Sequence, residues 1–254
     1  MLDPVEAAAV AEKFGVSDEQ VRRDHLLSYL LGALASELPE AVLFFGGTAL
    51  ARTHLPDGRL SEDLDLLAVP RRAVVVADIE RTLAEAARRE YGRLTWDPPL
   101  SAVRDTVAAV LRARDGLTVR IQLLDPAHYP TWPVERRVLY QRYADAPPAT
   151  LAVPTLPAFA ASKTTAWHDR RAARDLYDLW GLARLGALDV AAAELFARFG
   201  PTGSPPQPWM FTEAPTIADW TAELAGQTRV AVGPDTALNF VRTAWAAINP
   251  LSDS

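Results

Sequence analysis

The chain has 254 residues, 49% of them hydrophobic, no cysteine, and a formal net charge of −6 at pH 7. This length can bury a sizeable core in one large or two modest domains. The composition excludes disulfides, cysteine-ligated zinc and thiol catalysis, and the acidic balance excludes a general polyanion binder. Any nucleic-acid contact must come from a local basic surface. The opening Met-Leu-Asp-Pro-Val-Glu lacks the pattern of a signal peptide and no apolar run approaches spanning length, so a cytoplasmic protein with no membrane partner is expected.

In chain order, Asp3-Pro4 and Ser17 mark helix starts and predict helices over 4–13 and 18–37, the second with an apolar stripe through Val21, Leu26, Leu30 and Leu34. Strands over 41–46 and 63–69 flank a short glycine-led helix, and a helix over 73–90 follows. Asp115-Gly116 predicts a β-hairpin between 107–113 and 117–124, with Leu117, Val119, Ile121 and Leu123 on the core face. Prolines from Pro126 to Pro157 predict a linker with one more strand near 149–153. Helices over 157–168, 173–186, 190–199, 214–225 and 234–247 complete the pattern, with a Pro/Gly/Ser-rich loop from Gly200 to Pro208. The expected organisation is an α/β domain over 1–150, N-terminal helices included, followed by a helical domain over 151–254.

The chemistry concentrates in residues 44–67, Phe-Phe-Gly-Gly-Thr-Ala-Leu-Ala-Arg-Thr-His-Leu-Pro-Asp-Gly-Arg-Leu-Ser-Glu-Asp-Leu-Asp-Leu-Leu. Asp63 and Asp65 stand two apart on an apolar strand, so both carboxylates point to one face while Leu64 and Leu66 point to the other. Such a pair can hold a divalent metal. Gly46 and Gly47 lack a Cβ and admit a phosphate to the backbone N–H groups, and a helix starting near Thr48 aims its positive end at that anion. Taken singly, a Gly-Gly pair is usually a plain strand-to-helix turn and an Asp-x-Asp pair a solvated edge. In this order, between apolar strands, they favour nucleotide transfer.

The block Phe-Gly-Gly-Thr-Ala-Leu, then Arg52, Arg59 and Ser61-Glu62-Asp63-Leu64-Asp65-Leu66, closely resembles the signature of the AbiEii/AbiGii-type nucleotidyltransferase toxins of the DNA polymerase β-like superfamily. Residues 158–179, which contain Lys163 and the run Arg174-Asp175-Leu176-Tyr177-Asp178, resemble the downstream helical motif of the same family. The resemblance implies a polymerase-β-like core with a mixed sheet. It assigns Asp63, Asp65, Lys163, Asp175 and Asp178 to catalysis, and Gly46, Gly47, Thr48, Arg52, Arg59 and Ser61 to the nucleotide. It further implies an NTP substrate, Mg²⁺, an RNA acceptor such as a tRNA 3′ end, a toxin role in phage defence, and a separately encoded antitoxin.

Only Lys13 and Lys163 among the 26 cationic residues are lysine. A lysine at a motif position in an arginine-rich chain is a point charge suited to a triphosphate or leaving pyrophosphate, shared on this reading with Arg52 and Arg59, against the alternative of an ordinary surface lysine. Asp175 and Asp178 share a helix face, and helix pairing with Arg171 and Arg174 four residues earlier explains them equally well. The hairpin arm beside the Asp-x-Asp strand offers Thr118, Arg120 and Gln122 where this superfamily commonly has a third carboxylate. Gln122 brings no charge, so the number of metals is left open, with Asp125 as an acid of opposite strand parity. Arg104, Arg112, Arg114 and Arg120, with Arg136, Arg137, Arg142, Arg170 and Arg171 further on, are candidate phosphate contacts. A small-molecule nucleotidyltransferase and a non-catalytic nucleotide- or RNA-binding protein are the competing readings. A metal-dependent phosphohydrolase is disfavoured because the four histidines form no ligand-spaced cluster.

Overall fold

The computed structural model describes residues 1–248. The chain divides into two compact units, Met1–Val153 and Pro154–Ser254.

In the first unit, α1 (Pro4–Phe14) starts behind Asp3, whose carboxylate accepts the N–H groups of Val5 and Glu6, and ends at Gly15 in the left-handed conformation. Ser17 caps α2 (Asp18–Glu37), as its sequence predicts. The strands are β1 (Val42–Phe45), β2 (Asp63–Ala68), β3 (Thr95–Trp96), β4 (Ala109–Arg112), β5 (Thr118–Leu124), β6 (Val134–Val138) and β7 (Thr150–Pro154). They form one mixed sheet in the order β3-β4-β5-β2-β1-β7-β6. β2 lies antiparallel to β1 and parallel to β5. Between β1 and β2 runs α3 (Gly46–Thr53), and after β2 come α4 (Arg72–Glu85) and α5 (Arg88–Tyr91).

The predicted hairpin is present as β4 and β5, and its four inward residues Leu117, Val119, Ile121 and Leu123 are all buried. Register then fixes the two faces. Phe44, Leu66 and Leu123 align across three strands, with Leu64 beside Ile121, on the buried side. Phe45, Asp65 and Gln122 align on the other side, with Asp63 beside Arg120.

Two expectations change. The helix predicted over 73–90 breaks at Ala86 and Ala87, although the local sequence favours helix. Here the turn buries Ala87, and Tyr91 places its hydroxyl on the Arg22 carbonyl and 2.7 Å from His25 Nδ1. Tertiary contact overrides propensity. The proline-rich linker also contains β6, whose Val-Glu-Arg-Arg-Val has no buried position and gives no apolar alternation to read.

The second unit is helical: α6 (Leu156–Arg170), α7 (Ala173–Arg184), α8 (Val190–Phe199), α9 (Ile217–Leu224) and α10 (Pro234–Ile248). Its core is aromatic, with Trp167, Phe196, Phe211 and Trp245 almost fully buried. No helix among the described residues is long and apolar enough to cross a membrane.

Candidate active site

At the end of β1 the chain enters α3 through Gly46, whose φ of +79° favours glycine. A Cβ there would run into the Asp65 carboxylate, 2.9 Å from its Cγ, and a Cβ on Gly47 would lie 2.7 Å from Arg59 Nη2 and 3.4 Å from Ser61 Oγ. The glycine pair therefore lets the Asp65 carboxylate and the Arg59 guanidinium close on the start of α3. The N-cap residue, Phe45, supplies no side-chain hydrogen bond to that end. The positive dipole end of such a helix is a place where an anion can bind. Gly46→Ala strains the backbone and displaces Asp65, and a shift of about 1 Å at a reacting centre is worth roughly a hundredfold in rate. The expected result is a folded protein with transfer reduced by about that factor, checked by rate and melting measurements. A variant at near wild-type rate would show that Asp65 does not need this space.

Asp63 and Asp65 stand side by side on one face of β2, as the strand period requires. The Asp63 side chain is 42% exposed, with Arg120 Nε 3.9 Å from its Oδ1. Thr48 is buried and donates its hydroxyl to the Asp63 carbonyl, tying α3 to β2. Arg59 is also buried, and Ser61 is half-buried.

Arg52 departs from its expected role. Its side chain is fully enclosed, and Nη2 donates to both the carbonyl and Oδ1 of Asp24, each at 2.8 Å, while Nη1 reaches the Tyr140 carbonyl and Gln141 Oε1. Burial pushes the guanidinium down to about 10 against the pull of Asp24, so it stays charged at neutral pH. A guanidinium so enclosed has no surface to offer a nucleotide. It anchors α3 to α2 instead. Arg142, among the arginines considered for phosphate, is likewise buried and donates to the carbonyls of Ala51 and Pro56.

The position sought for a third acid is occupied as the register predicts, with Gln122 beside Asp65. Its Nε2 donates to the Asp105 carbonyl at 3.1 Å and pins the loop before β4. Asp125 is engaged elsewhere, accepting N–H groups from Ala127 and Arg72. Among the described residues no three His, Cys, Asp or Glu side chains are grouped to hold a metal. Two hard carboxylates on an accessible face suit a cation that takes its other ligands from substrate phosphates and water, as Mg²⁺ does.

The second unit has its own buried charge cluster. Lys163, on α6, is only 7% exposed, which removes the surface-lysine alternative. Its Nζ lies 3.1 Å from Asp175 Oδ1 and 2.8 Å from Asp178 Oδ2, both carboxylates being on α7. Arg170 clamps Asp175 with Nε at 2.6 Å and Nη2 at 3.0 Å. Burial opposes ionisation of Asp175, but Lys163 and Arg170 outweigh it and hold its carboxyl at about 2. The pairing of Asp175 with Arg171 considered from sequence is not formed, because α6 ends at Arg170 and Arg171 turns left-handed. Arg171 instead stacks on Trp167 and bonds the Met210 carbonyl, and Arg174 faces Glu223.

Sequence alone does not single out Asp24, and it offers Arg170 only as a phosphate contact. Asp24 belongs to a buried line, Gln20, Asp24 and Ser28, spaced at four on an otherwise leucine-rich helix, and that spacing is a visible signal. Arg170 clamps Asp175 across the break between two helices, which no helix period reveals.

A mixed sheet carries the Asp-x-Asp strand beside a glycine-led helix start, the arrangement expected of a nucleotidyltransferase. Residues 29–232 match the family described as nucleotidyl transferase AbiEii toxin, type IV TA system, and the chain belongs to that family. It is a nucleotidyltransferase toxin of a type IV toxin-antitoxin system. Among solved structures it is similar to MenT4, a nucleotidyltransferase toxin of Mycobacterium tuberculosis, at 22% identity with a TM-score of 0.72, over 97% of this chain and 90% of that one. It is also similar to JHP933 of Helicobacter pylori, at 16% identity with a TM-score of 0.60, over 92% and 94% of the two chains. Comparison with curated proteins gives no match.

Proposed function

We propose that this toxin transfers a nucleoside monophosphate from an NTP to a hydroxyl at an RNA end, such as the 3′ end of a tRNA, and that it is restrained by a separately encoded antitoxin. The observation that carries this reading is the Asp65 carboxylate packed against the start of α3 at Gly46, with Asp63 beside it on the same face. Backbone N–H groups of the Gly46-Gly47 turn bind and orient the triphosphate, with Arg59 adjacent to Gly47. Asp63 and Asp65 would hold a divalent cation, taken to be Mg²⁺, which supplies charge neutralisation on the phosphates. The acceptor hydroxyl attacks the α-phosphorus, and pyrophosphate leaves.

Lys163, Asp175 and Asp178 are assigned to the same reaction. Three N–H donors fix Asp175, so it positions Lys163, and Asp178, whose Oδ2 lies 2.8 Å from Lys163 Nζ, is the carboxylate proposed to accept a proton. Lys163→Ala removes the ammonium that lies between two buried carboxylates and is expected to lower transfer by about a hundredfold or more. Lys163→Arg keeps the charge but replaces a point ammonium by a planar fork, and an intermediate rate is expected. Full activity in the folded alanine variant would remove the lysine from the mechanism.

The reading is tested by incubating purified protein with each labelled NTP, Mg²⁺ and total RNA. Label on a discrete RNA band with equimolar pyrophosphate supports it. Pyrophosphate release that needs a small-molecule hydroxyl instead would move the acceptor class, and no release with any NTP would leave only a binding role.

A further inference from the structure

We propose that the exposed side of β4 and β5, carrying Arg112 and Arg120 and flanked by Arg104, is the track along which the acceptor RNA backbone reaches Asp63 and Asp65. This rests on the reading of the acceptor as RNA. Register places the residues. Arg120 lies directly beside Asp63 across parallel strands, and Arg112 lies beside Thr118, two residues before Arg120 on β5. Strand spacing and rise then put the Cα atoms of Arg112 and Arg120 roughly 8 Å apart, a reach suited to nearby phosphates of one strand. On the opposite flank, the Gln122 amide holds the Asp105 carbonyl and so fixes the loop that carries Arg104 beside the acid pair.

The charges here are uncommitted. Arg104 and Arg112 are exposed, and neither side chain has a hydrogen bond or ion pair among the described residues. Arg120 has only its long contact to Asp63, with a side chain 69% exposed, a geometry that contributes little in water. Elsewhere the arginines are mostly engaged, as with Arg22, Arg23, Arg52 and Arg72. A row of free guanidiniums in a chain of net charge −6 gives the local basic surface that a phosphate backbone requires. The strand positions facing this way are otherwise Thr95, Val110, Thr118 and Gln122. They offer hydroxyls and an amide but no large apolar anchor of the kind on which a protein interface is centred. The acid pair lies at the end where transfer occurs, where a cation would neutralise its repulsion of the backbone.

The test uses the full chain, 5′-fluorescein-labelled deacylated tRNA and the double variant Arg104→Glu/Arg112→Glu, which leaves Arg120 and the acid pair unaltered. Expected are a loss of tRNA affinity of tenfold or more at low salt by anisotropy, a shallower dependence on salt by about one unit per lost phosphate contact, and an unchanged KM for NTP. Arg104→Lys/Arg112→Lys should retain most of the affinity, because phosphate accepts either cation. Wild-type tRNA binding with an unaltered affinity and salt slope in the charge-reversed variant would overturn the track while leaving the acceptor class intact. Absence of both binding and transfer to RNA in the wild type would overturn the acceptor reading and the track with it. Unchanged tRNA affinity together with loss of a bound protein partner would make the face a protein interface and overturn the proposal.

Discussion

Asp63→Ala and Asp65→Ala are each expected to lower nucleotide transfer by about a thousandfold or more while the protein stays folded. The magnitude follows from the scarcity of acid in the site. With Gln122 beside Asp65 and Asp125 engaged by backbone N–H groups, either substitution halves the carboxylates that β2 offers a cation. The stability side follows from the other face of the same strand. Leu64 and Leu66 are fully buried and keep β2 between β1 and β5 whatever stands at 63 and 65. Asp63→Ala also relieves repulsion between neighbouring carboxylates and loses only the long contact to Arg120, so its melting temperature without metal should hold or rise. The measurements are transfer rate against Mg²⁺ concentration and thermal melting in chelator. Near wild-type transfer by either folded variant at saturating Mg²⁺ would show that the pair is not the cation site.

What the sequence made legible was whatever is set by a local period or a backbone requirement. The alternation Asp63-Leu64-Asp65-Leu66 places two acids on one face and two leucines on the other, and a strand can satisfy that in only one way. Gly46 and Gly47 read as admitting a phosphate to the backbone; the side chains that approach them are Asp65 and Arg59, and composition cannot name such neighbours. The hairpin followed from Asp115-Gly116 and four alternating apolar residues, whereas its place beside β2, which sets Gln122 against Asp65, is expected only from the family resemblance. What was not legible depends on partners remote in sequence. The role of Arg52 is set by Asp24, 28 residues earlier, and by carbonyl and amide groups near residue 140. Nothing within its own helix distinguishes a buried anchor from a phosphate ligand. Lys163 reads the same way: its rarity marked it, but only tertiary packing shows an ammonium enclosed between Asp175 and Asp178.

That remote partnership leads to the largest expected effect on stability, in Asp24→Ala. Asp24 is nearly fully buried on α2 and accepts from Arg52 at 2.8 Å, from Tyr143 at 3.1 Å and from Arg142 at 3.5 Å. Its removal leaves the Arg52 and Arg142 guanidiniums enclosed, close to each other and without their carboxylate. Breaking a buried pair in this way costs about 3–5 kcal/mol, most of it from the stranded charge rather than from the attraction lost. Melting should fall by roughly 10 °C. The cause can be separated from general damage by Asp24→Leu/Arg52→Met, which removes the closest charge pair while filling the space, leaves only Arg142 without its carboxylate, and should recover part of the loss. There is also a consequence for the nucleotide. Arg52 anchors the later turn of α3, and the first turn of α3 presents Gly46 and Gly47, so a loosened helix should raise the KM for NTP. Equilibrium unfolding and steady-state kinetics of the single and double variants measure both effects. A loss below about 1 kcal/mol in Asp24→Ala would mean that water reaches the pair after all, since only an exposed ion pair is worth so little.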